Sequence, residues 1–199
     1  MPLNGARIAL LIEDEYQILE GWYPHLRLTG AGADLTVVGS GTKRSYDSKE
    51  HYPMEVDRDA ADVSADDFDA VVVPGGFAPD NMRLHPEMAG LVRDMFQAGK
   101  LVTSICHGGW ILISAGAVRG KRITGYLPIK DDVTNAGGTW VDDQPVVVDG
   151  NVITARNPGD LAPFCDAIID YLETPDGDSR ATSRSDDRVP AGAETGSVR

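Results

Sequence analysis

A series of short apolar runs, separated by longer segments with helical spacing, most constrains the fold of this chain. Each run has four to six residues, which suits a strand and is too short for a buried helix. The runs are RIALLI (Arg7–Ile12), DLTVV (Asp34–Val38), AVVV (Ala70–Val73) and LVTSIC (Leu101–Cys106). Mainly apolar runs are typical of parallel strands that helices cover on both faces. The pattern therefore predicts a three-layer α/β/α sandwich with a mainly parallel, flavodoxin-like sheet.

The segments between the runs supply the helices and the irregular parts of the predicted fold. Helical spacing is found in Gln17–Leu28, Pro86–Ala98, Trp110–Ala115 (the start of a helix) and Pro158–Glu173. Polar residues 43–63 are interpreted as a hairpin or a small excursion. Val146–Thr154 is predicted to form a hairpin, because Asp149-Gly150 suits a tight turn. These elements form one predicted domain over residues 1–173.

Residues 174–199 differ in composition from the rest of the chain. They are rich in Ser, Asp, Arg, Gly, Thr and Pro and contain almost no large apolar residue. Such a segment cannot bury enough surface to offset the entropy lost on ordering, so we predict a disordered tail. A spacer is the expected role, with a partner-binding segment as the alternative.

The net charge of −13 over 199 residues restricts the partners of the protein. An acidic surface repels nucleic acid and anionic membranes, since phosphate binding needs clustered Lys and Arg. No apolar run approaches the ~18 residues of a membrane span. The 23 Asp and 13 Arg fit either salt adaptation or GC-rich codon usage, and both explanations stay open.

The two cysteines and the start of the chain indicate a reducing compartment. A disulfide framework is excluded, and the first residues lack the basic region of a signal peptide, so a cytoplasmic location is expected. The four histidines show no metal-ligand spacing, and no phosphate-binding glycine loop follows a strand. We therefore expect neither a metal nor a nucleotide cofactor.

The segment LVTSICHGGWILISA (residues 101–115) contains the most informative chemistry. A buried strand is followed by Cys106, His107, two glycines and a helix, which is the pattern of a nucleophile held on a sharp strand-to-helix turn. The following helix N-terminus favours a thiolate, and the His107 N–H can face a developing oxyanion. The alternative is that Cys106 is a small buried apolar residue, as many free cysteines are.

Pro74-Gly75-Gly76 ends the preceding apolar strand and is the second candidate part of the site. Glycines let the backbone approach a ligand closely, and an amide here is a candidate second oxyanion donor. An ordinary turn is the alternative. Trp110 is a candidate wall of the cleft, whereas Cys165 is interpreted as part of the core.

Several segments, in order, carry a resemblance to a known family. They are LEGWYP (Leu19–Pro24), VVVPGGFAPDNMRL (Val71–Leu84), SICHGGWILISAGAVRGK (Ser104–Lys121), Tyr126 and IKDDVTNAGGTWVD (Ile129–Asp142). Over about residues 5–173 the chain resembles the DJ-1/PfpI superfamily, within the class I glutamine amidotransferase-like fold. The nearer resemblance is to the PfpI branch, whose members are often called intracellular cysteine peptidases.

The resemblance implies roles for individual residues. Cys106 matches the reactive nucleophile, and Glu20 matches a glutamate that hydrogen-bonds the cysteine and is typically protonated in a dry pocket. His107 matches the histidine of the PfpI triad. Asp80 lies where that branch has a glutamate contributed by a neighbouring subunit, although aspartate is one methylene shorter. Capping of the helix that follows is the alternative role for Asp80.

The rest of the site and the assembly state also follow from the resemblance. The amides of Gly76 and His107 match the oxyanion hole, and Tyr126 matches an aromatic residue lining the cleft. A homo-oligomer, either a dimer, a trimer or a hexamer, is implied. Ser104 replaces the glycine that amidotransferases usually have two residues before the nucleophile, and no His-x-Glu pair occurs late in the chain. Glutamine hydrolysis is therefore not expected.

The predicted function is that of a stress-protection enzyme using the Cys106 thiolate. Its expected substrates are reactive carbonyls or their protein adducts, as in glyoxalase III and deglycase activities. The alternatives are a PfpI-type cysteine peptidase acting on peptides and a non-catalytic oxidation sensor or chaperone. A sensor would form a Cys106 sulfinic acid stabilised by a neighbouring protonated carboxyl.

Overall fold

The computed structural model of the protein describes residues 2–174. The segment predicted to be a disordered tail lies outside the described residues, apart from Thr174. Strands occur at β1 (Arg7–Ile12), β2 (Asp34–Gly39), β3 (Ser45–Asp47), β4 (Pro53–Glu55), β5 (Arg58–Asp59), β6 (Ala70–Val73), β7 (Leu101–Ile105), β8 (Arg122–Ile123), β9 (Thr139–Trp140), β10 (Val146–Asp149) and β11 (Val152–Ala155). Helices occur at α1 (Ile18–Gly30), α2 (Ala78–Met82), α3 (Pro86–Gln97), α4 (Gly109–Ser114), α5 (Lys130–Asn135) and α6 (Leu161–Glu173).

Seven strands form the main sheet, in the order β10-β11-β7-β6-β1-β2-β5. Every neighbouring pair is parallel except β10 and β11, which form the predicted antiparallel hairpin. The order β2-β1-β6-β7-β11 is that of the flavodoxin-like doubly wound sheet. The predicted fold class is therefore confirmed.

The helices form two groups that cover the sheet. Helix α1 packs against α6, while α2 and α3 pack against α4. The central strands lie between these layers and are buried. Residues Ile8–Ile12 of β1 and all four residues of β6 are inaccessible to solvent. Burying one aliphatic side chain of this size contributes roughly 1.5–3 kcal/mol, so the apolar runs fix the sheet in the core. Among the described residues, no helix has the length and apolarity needed to cross a membrane.

The bounds of β1 and β6 are as predicted, and the other predicted boundaries differ from the observed ones by up to three residues, for local reasons. Helix α1 starts at Ile18 because Gln17 is its N-cap, with its side chain accepting the N–H of Glu20. The polar excursion contains the antiparallel hairpin β3–β4, as predicted. It also contains β5, which extends the main sheet by two residues and was not predicted. Two-residue strands show no periodicity that a sequence pattern can detect.

Candidate active site

The loops after β1, β6 and β7 meet at the carboxyl edge of the sheet, where open α/β sheets hold their ligands. Cys106 follows β7 directly and has a φ of 59°, in the left-handed region. A residue with a Cβ pays roughly 1–2 kcal/mol for this conformation. The predicted strand Leu101–Cys106 therefore ends at Ile105, because Cys106 cannot continue the extended backbone.

Two glycines provide the space that the turn at Cys106 requires. A Cβ at Gly75 would lie 2.7 Å from the Cβ of Cys106 and 2.7 Å from Oε2 of Glu20. A Cβ at Gly108 would lie 2.5 Å from the carbonyl oxygen of Val73. Both distances are shorter than any real Cβ contact allows, so only glycine lets the two loops and the cysteine approach each other.

Backbone hydrogen bonds tie the start of α1 to the loop after β6. The Gln17 N–H donates to the Gly75 carbonyl at 3.2 Å, and the Phe77 N–H donates to the Glu15 carbonyl at 2.9 Å. Glu20 follows in the first turn of α1 and is fully buried. These bonds place the Glu20 carboxyl beneath the predicted nucleophile.

The two carboxyl oxygens of Glu20 have different surroundings. The Gly75 N–H donates to Oε2 at 2.8 Å. The other oxygen, Oε1, is buried and has no partner with normal hydrogen-bond geometry among residues 2–174. Cys106 is the side chain that interacts with this carboxyl. Burial raises the pKa of Glu20 to about 7, against the lowering effect of the Gly75 hydrogen bond. A protonated Glu20 can donate to the Cys106 sulfur.

Replacement of Glu20 with glutamine is expected to remove one component of the pH dependence of stability. Folding raises the pKa of Glu20 from 4.5 to about 7, so the folded chain retains a proton that the unfolded chain releases. This stabilisation is complete below pH 4.5 and is lost as the pH rises towards 7, by about 3 kcal/mol. Denaturant unfolding of wild type and Glu20→Gln between pH 4.5 and 8 measures the difference. Parallel pH profiles would contradict a buried carboxyl of raised pKa.

The Cys106 thiol differs from the sequence-based expectation of a stabilised thiolate. It is 8% exposed, and burial, followed by the charge of Glu20, raises its pKa to about 12. The N–H groups of His107 and Gly76 act in the opposite direction by donating to the sulfur. The helix after the turn is short, six residues, and begins only at Gly109. Protonation of Glu20 removes the repulsive charge and adds a donor, so the sulfur gains stabilisation when its neighbour is neutral.

His107 places a side-chain base beside the sulfur. Its Nδ1 lies 3.5 Å from Cys106 Sγ. Burial, together with the positive charge of Lys49, lowers the pKa of His107, so the imidazole is neutral at neutral pH. Its ring lies between those of Tyr126 and Trp110, with centroid distances of 4.9 and 5.0 Å. These rings restrict the imidazole to the vicinity of the thiol.

A cleft of about 440 Å³ opens above Cys106. Its walls include Glu20, Gly76, His107 and Tyr126, which the sequence analysis named. Gly75 lies beneath it and contacts the cysteine and Glu20. The cleft thus brings together six of the eight candidate residues, namely Glu20, Gly75, Gly76, Cys106, His107 and Tyr126.

Residues that the sequence analysis missed also line this cleft. Lys49 lies between β3 and β4 and its ammonium is 5.4 Å from the centre of the Phe77 ring. Asn157 and Gln17 are further lining residues. Lys49 belongs to an irregular polar stretch, and no sequence signal indicates that the stretch folds over the site. Phe77 directly follows Gly75-Gly76 in the sequence. Among the lining residues that were missed, its position next to the glycine pair is the sequence signal that could have predicted a place in the cleft.

Asp80 and Trp110 lie outside the Cys106 cleft. Both line a separate groove, together with Arg83 and Asp132. The Trp110 indole N–H donates to Asp132 at 2.8 Å. Asp80 lies in the first turn of α2, and the N-cap position of α3 is occupied by His85, so the predicted alternative of a cap on the next helix is wrong. Within the described part of this chain, Asp80 shows no hydrogen bond to His107.

A flavodoxin-like sheet that presents a cysteine on a left-handed turn defines the nucleophile-elbow class of α/β proteins. The chain belongs to the DJ-1/PfpI family, whose model matches residues 6–171. The predicted family is therefore confirmed.

Two relatives show which members of the family this chain is similar to. The deglycase PfpI of Pyrococcus furiosus is 43% identical over 167 residues, which are 84% of this chain and 99% of that protein. The proposed cysteine protease YraA of Bacillus subtilis is 34% identical over 167 residues, 84% of this chain and 98% of that protein. These relatives place the chain among proteins named as deglycases and as a cysteine protease.

A solved structure shows the same fold. A two-domain protein from Anabaena variabilis, containing DJ-1/ThiJ/PfpI-like and ferritin-like domains, matches with a TM-score of 0.81 and 38% sequence identity. The match covers 88% of this chain and 54% of that protein, so the chain spans about half of its length.

Proposed function

We propose that this chain is a cysteine-dependent enzyme that acts on reactive small carbonyls or on their adducts with proteins. The observation that carries the proposal is Cys106 on a left-handed turn, with a buried carboxyl of raised pKa against its sulfur. Four of the relatives found carry the name deglycase, which supports this substrate class. The cleft of about 440 Å³ suits a small molecule or one modified side chain.

The proposed mechanism begins with attack of the Cys106 sulfur on an aldehyde carbon. The thiol proton moves to the neutral His107 imidazole, and the C–S bond forms as the C=O bond becomes an alkoxide. The Gly76 and His107 N–H groups, which already donate to the sulfur, lie beside that oxygen. For methylglyoxal, Glu20 or His107 then moves the proton from C1 to C2, and water cleaves the resulting thioester. One water is added in total, lactate is formed, and no external oxidant or reductant is needed.

The third residue of the triad, beside Cys106 and His107, is proposed to be Asp80 of a second copy of this chain. Asp80 lines the groove beside Trp110 and is not among the residues that line the Cys106 cleft. Supply of Asp80 by a neighbouring copy in a homo-oligomer would place a carboxylate by His107, as the family resemblance implies. Light scattering on active enzyme tests this proposal. A monomer with full activity would contradict a contribution from a second copy.

The experiment that tests the function is the consumption of methylglyoxal without added cofactor, with lactate followed by NMR. Wild type is expected to form one lactate per methylglyoxal consumed, at low and at molar KCl. Fluorogenic peptides are assayed in parallel, because one relative is named as a cysteine protease. Peptide cleavage without lactate formation would replace the carbonyl proposal with the peptidase.

Oxidation sensing is a second candidate, favoured by Oε1 of Glu20, which is buried and has no hydrogen-bond partner within residues 2–174. A protonated carboxyl at this position can donate to a Cys106 sulfinate, which needs such a donor when buried. Mass spectrometry after mild peroxide treatment measures this reaction. A gain of two oxygens on Cys106, in a protein that turns over no carbonyl, would favour the sensor over the enzyme.

A further inference from the structure

A second pocket adjoins the Cys106 cleft on the other side of Tyr126. It has a volume of about 260 Å³, and both Tyr126 and Asn157 line the two cavities. The Tyr126 N–H donates to the Cys106 carbonyl at 3.2 Å, which fixes the shared wall relative to the nucleophile. A molecule whose reactive carbon lies at the sulfur can therefore extend past Tyr126 into the second pocket.

The second pocket has apolar walls held in place by polar contacts. Trp140 is one wall, and its indole N–H donates to Asp142 at 2.6 Å. Lys130 binds the other oxygen of Asp142 at 2.9 Å, so the indole is anchored to α5. Leu127 is a second wall and is 63% exposed. An anchored indole facing an exposed aliphatic side chain offers a site for an apolar group.

The polar residues of the pocket do not favour a charged ligand. Arg156 also lines it, but its guanidinium is bound by both oxygens of the buried Asp160, at 2.9 and 3.0 Å. Its positive charge is therefore neutralised within the chain. Thr124 is 1% exposed, and its hydroxyl has no hydrogen-bond partner among residues 2–174. The buried Thr124 hydroxyl is therefore free to form a hydrogen bond with a peptide N–H or C=O group of a ligand.

We infer that this pocket is a specificity subsite that binds the uncharged apolar side chain next to the modified residue of a peptide substrate. The inference rests on the proposed function, because it assumes that the adduct carbon reacts at Cys106. In a hemithioacetal of a peptide cysteine, the Cys106 sulfur would bond to C1 as the C–S bond to the peptide breaks, and the peptide thiol would leave with the proton of the Cys106 thiol. The hemithioacetal then formed on Cys106 would rearrange and be hydrolysed to lactate as for methylglyoxal. Trp140 and Leu127 would contact the apolar side chain, while Thr124 would bond the peptide group between the two positions. Free methylglyoxal is too small to reach the subsite, so only peptide-borne adducts would sense it.

Selectivity between two peptides tests the subsite during turnover. The substrates are methylglyoxal adducts of N-acetyl-Cys-Leu-amide and N-acetyl-Cys-Gly-amide, and the readout is the ratio of their kcat/KM values. Wild type is expected to prefer the leucine peptide roughly tenfold, the usual value of filling an apolar pocket. Leu127→Ala should lower the ratio by at least about threefold. Leu84→Ala removes an exposed leucine elsewhere on the surface, 76% exposed against 63% for Leu127, and should leave the ratio unchanged. Equal ratios in wild type and Leu127→Ala would overturn the subsite.

A binding measurement separates this inference from the proposed function. The Cys106→Ala protein is titrated with N-acetyl-leucine amide and with N-acetyl-glycine amide while the indole N–H resonance of Trp140, assigned through Trp140→Phe, is followed by NMR. The leucine ligand should shift this resonance, and the glycine ligand should shift it less. If wild type turned over no carbonyl but the resonance shifted, the function would be wrong and the pocket real. Absence of any shift would overturn the subsite whatever the enzyme does.

Discussion

Replacement of Cys106 with alanine is expected to lower kcat for carbonyl turnover by at least about 10³-fold, because it removes the sulfur that forms the proposed covalent intermediate. The other parts of the site remain in such a variant. The Gly76 amide and the Glu20 carboxyl are held by α1 and by the loop after β6, and the His107 amide belongs to the backbone turn after β7. The decrease in kcat would therefore measure the contribution of the Cys106 sulfur alone. Lactate formation followed by NMR gives the kcat values.

Cys165 provides the matched control for this prediction. It is the second cysteine of the chain, lies in α6, and burial raises the pKa of its thiol to about 12, as it does for Cys106. It differs in geometry, since it has no left-handed backbone and does not line the cleft. Cys165→Ala should keep full turnover and lose roughly 1 kcal/mol of stability through the small cavity. Similar losses of activity in both variants would contradict the elbow as the reactive site.

Replacement of Gly75 with alanine is expected to have the second largest effect. The new Cβ would lie within 2.9 Å of the His107 amide nitrogen, in addition to its short contacts with Cys106 and Glu20. Either the turn or α1 must shift, and overpacking of this kind costs typically 1–3 kcal/mol. Displacement of the sulfur by an ångström relative to its donors should lower kcat/KM by about 10²-fold. Activity and denaturant unfolding, measured on the same preparation, test both effects.

Gly30→Ala is the control for Gly75→Ala. Gly30 is the last residue of α1, and a Cβ there would meet no atom within 4 Å. Alanine should therefore be tolerated and should stabilise the helix end by up to about 1 kcal/mol. A Gly75→Ala protein as active and stable as Gly30→Ala would show that the two loops do not need a glycine to converge on the cysteine.

The strands of the main sheet other than β5 were predictable, because each is encoded by a run of consecutive apolar residues. The run Ala70–Val73 has the same bounds as β6, because four consecutive apolar residues that end at Pro74-Gly75 predict a buried strand of that length. The end of β7 was misplaced by one residue, because the left-handed backbone of Cys106 depends on the contacts of the turn. The two-residue strands β5, β8 and β9 are set by neighbouring strands and have no pattern of their own.

The candidate site was predictable where one segment contains both the residue and its neighbours. Cys106 and His107 follow each other on one turn, and Gly75 and Gly76 end the adjacent strand, so their meeting follows from parallel strand order. The contact between Glu20 and Gly75 joins residues 55 positions apart and depends on the packing of α1. Here the family resemblance, and no local pattern, indicated the residue.

The sequence by itself determined the order of the longer strands and of helices α1, α3, α4 and α6, the position of the cysteine turn and the acidic surface, because periodicity, glycine placement and charge are local properties of the chain. The tertiary structure decided which side chains surround the sulfur. It brought Lys49 over the cleft from an irregular hairpin, and it placed Asp80 and Trp110 in a separate groove. Such placements depend on how loops and helices pack across long sequence separations, where small changes of angle or register decide whether two groups meet.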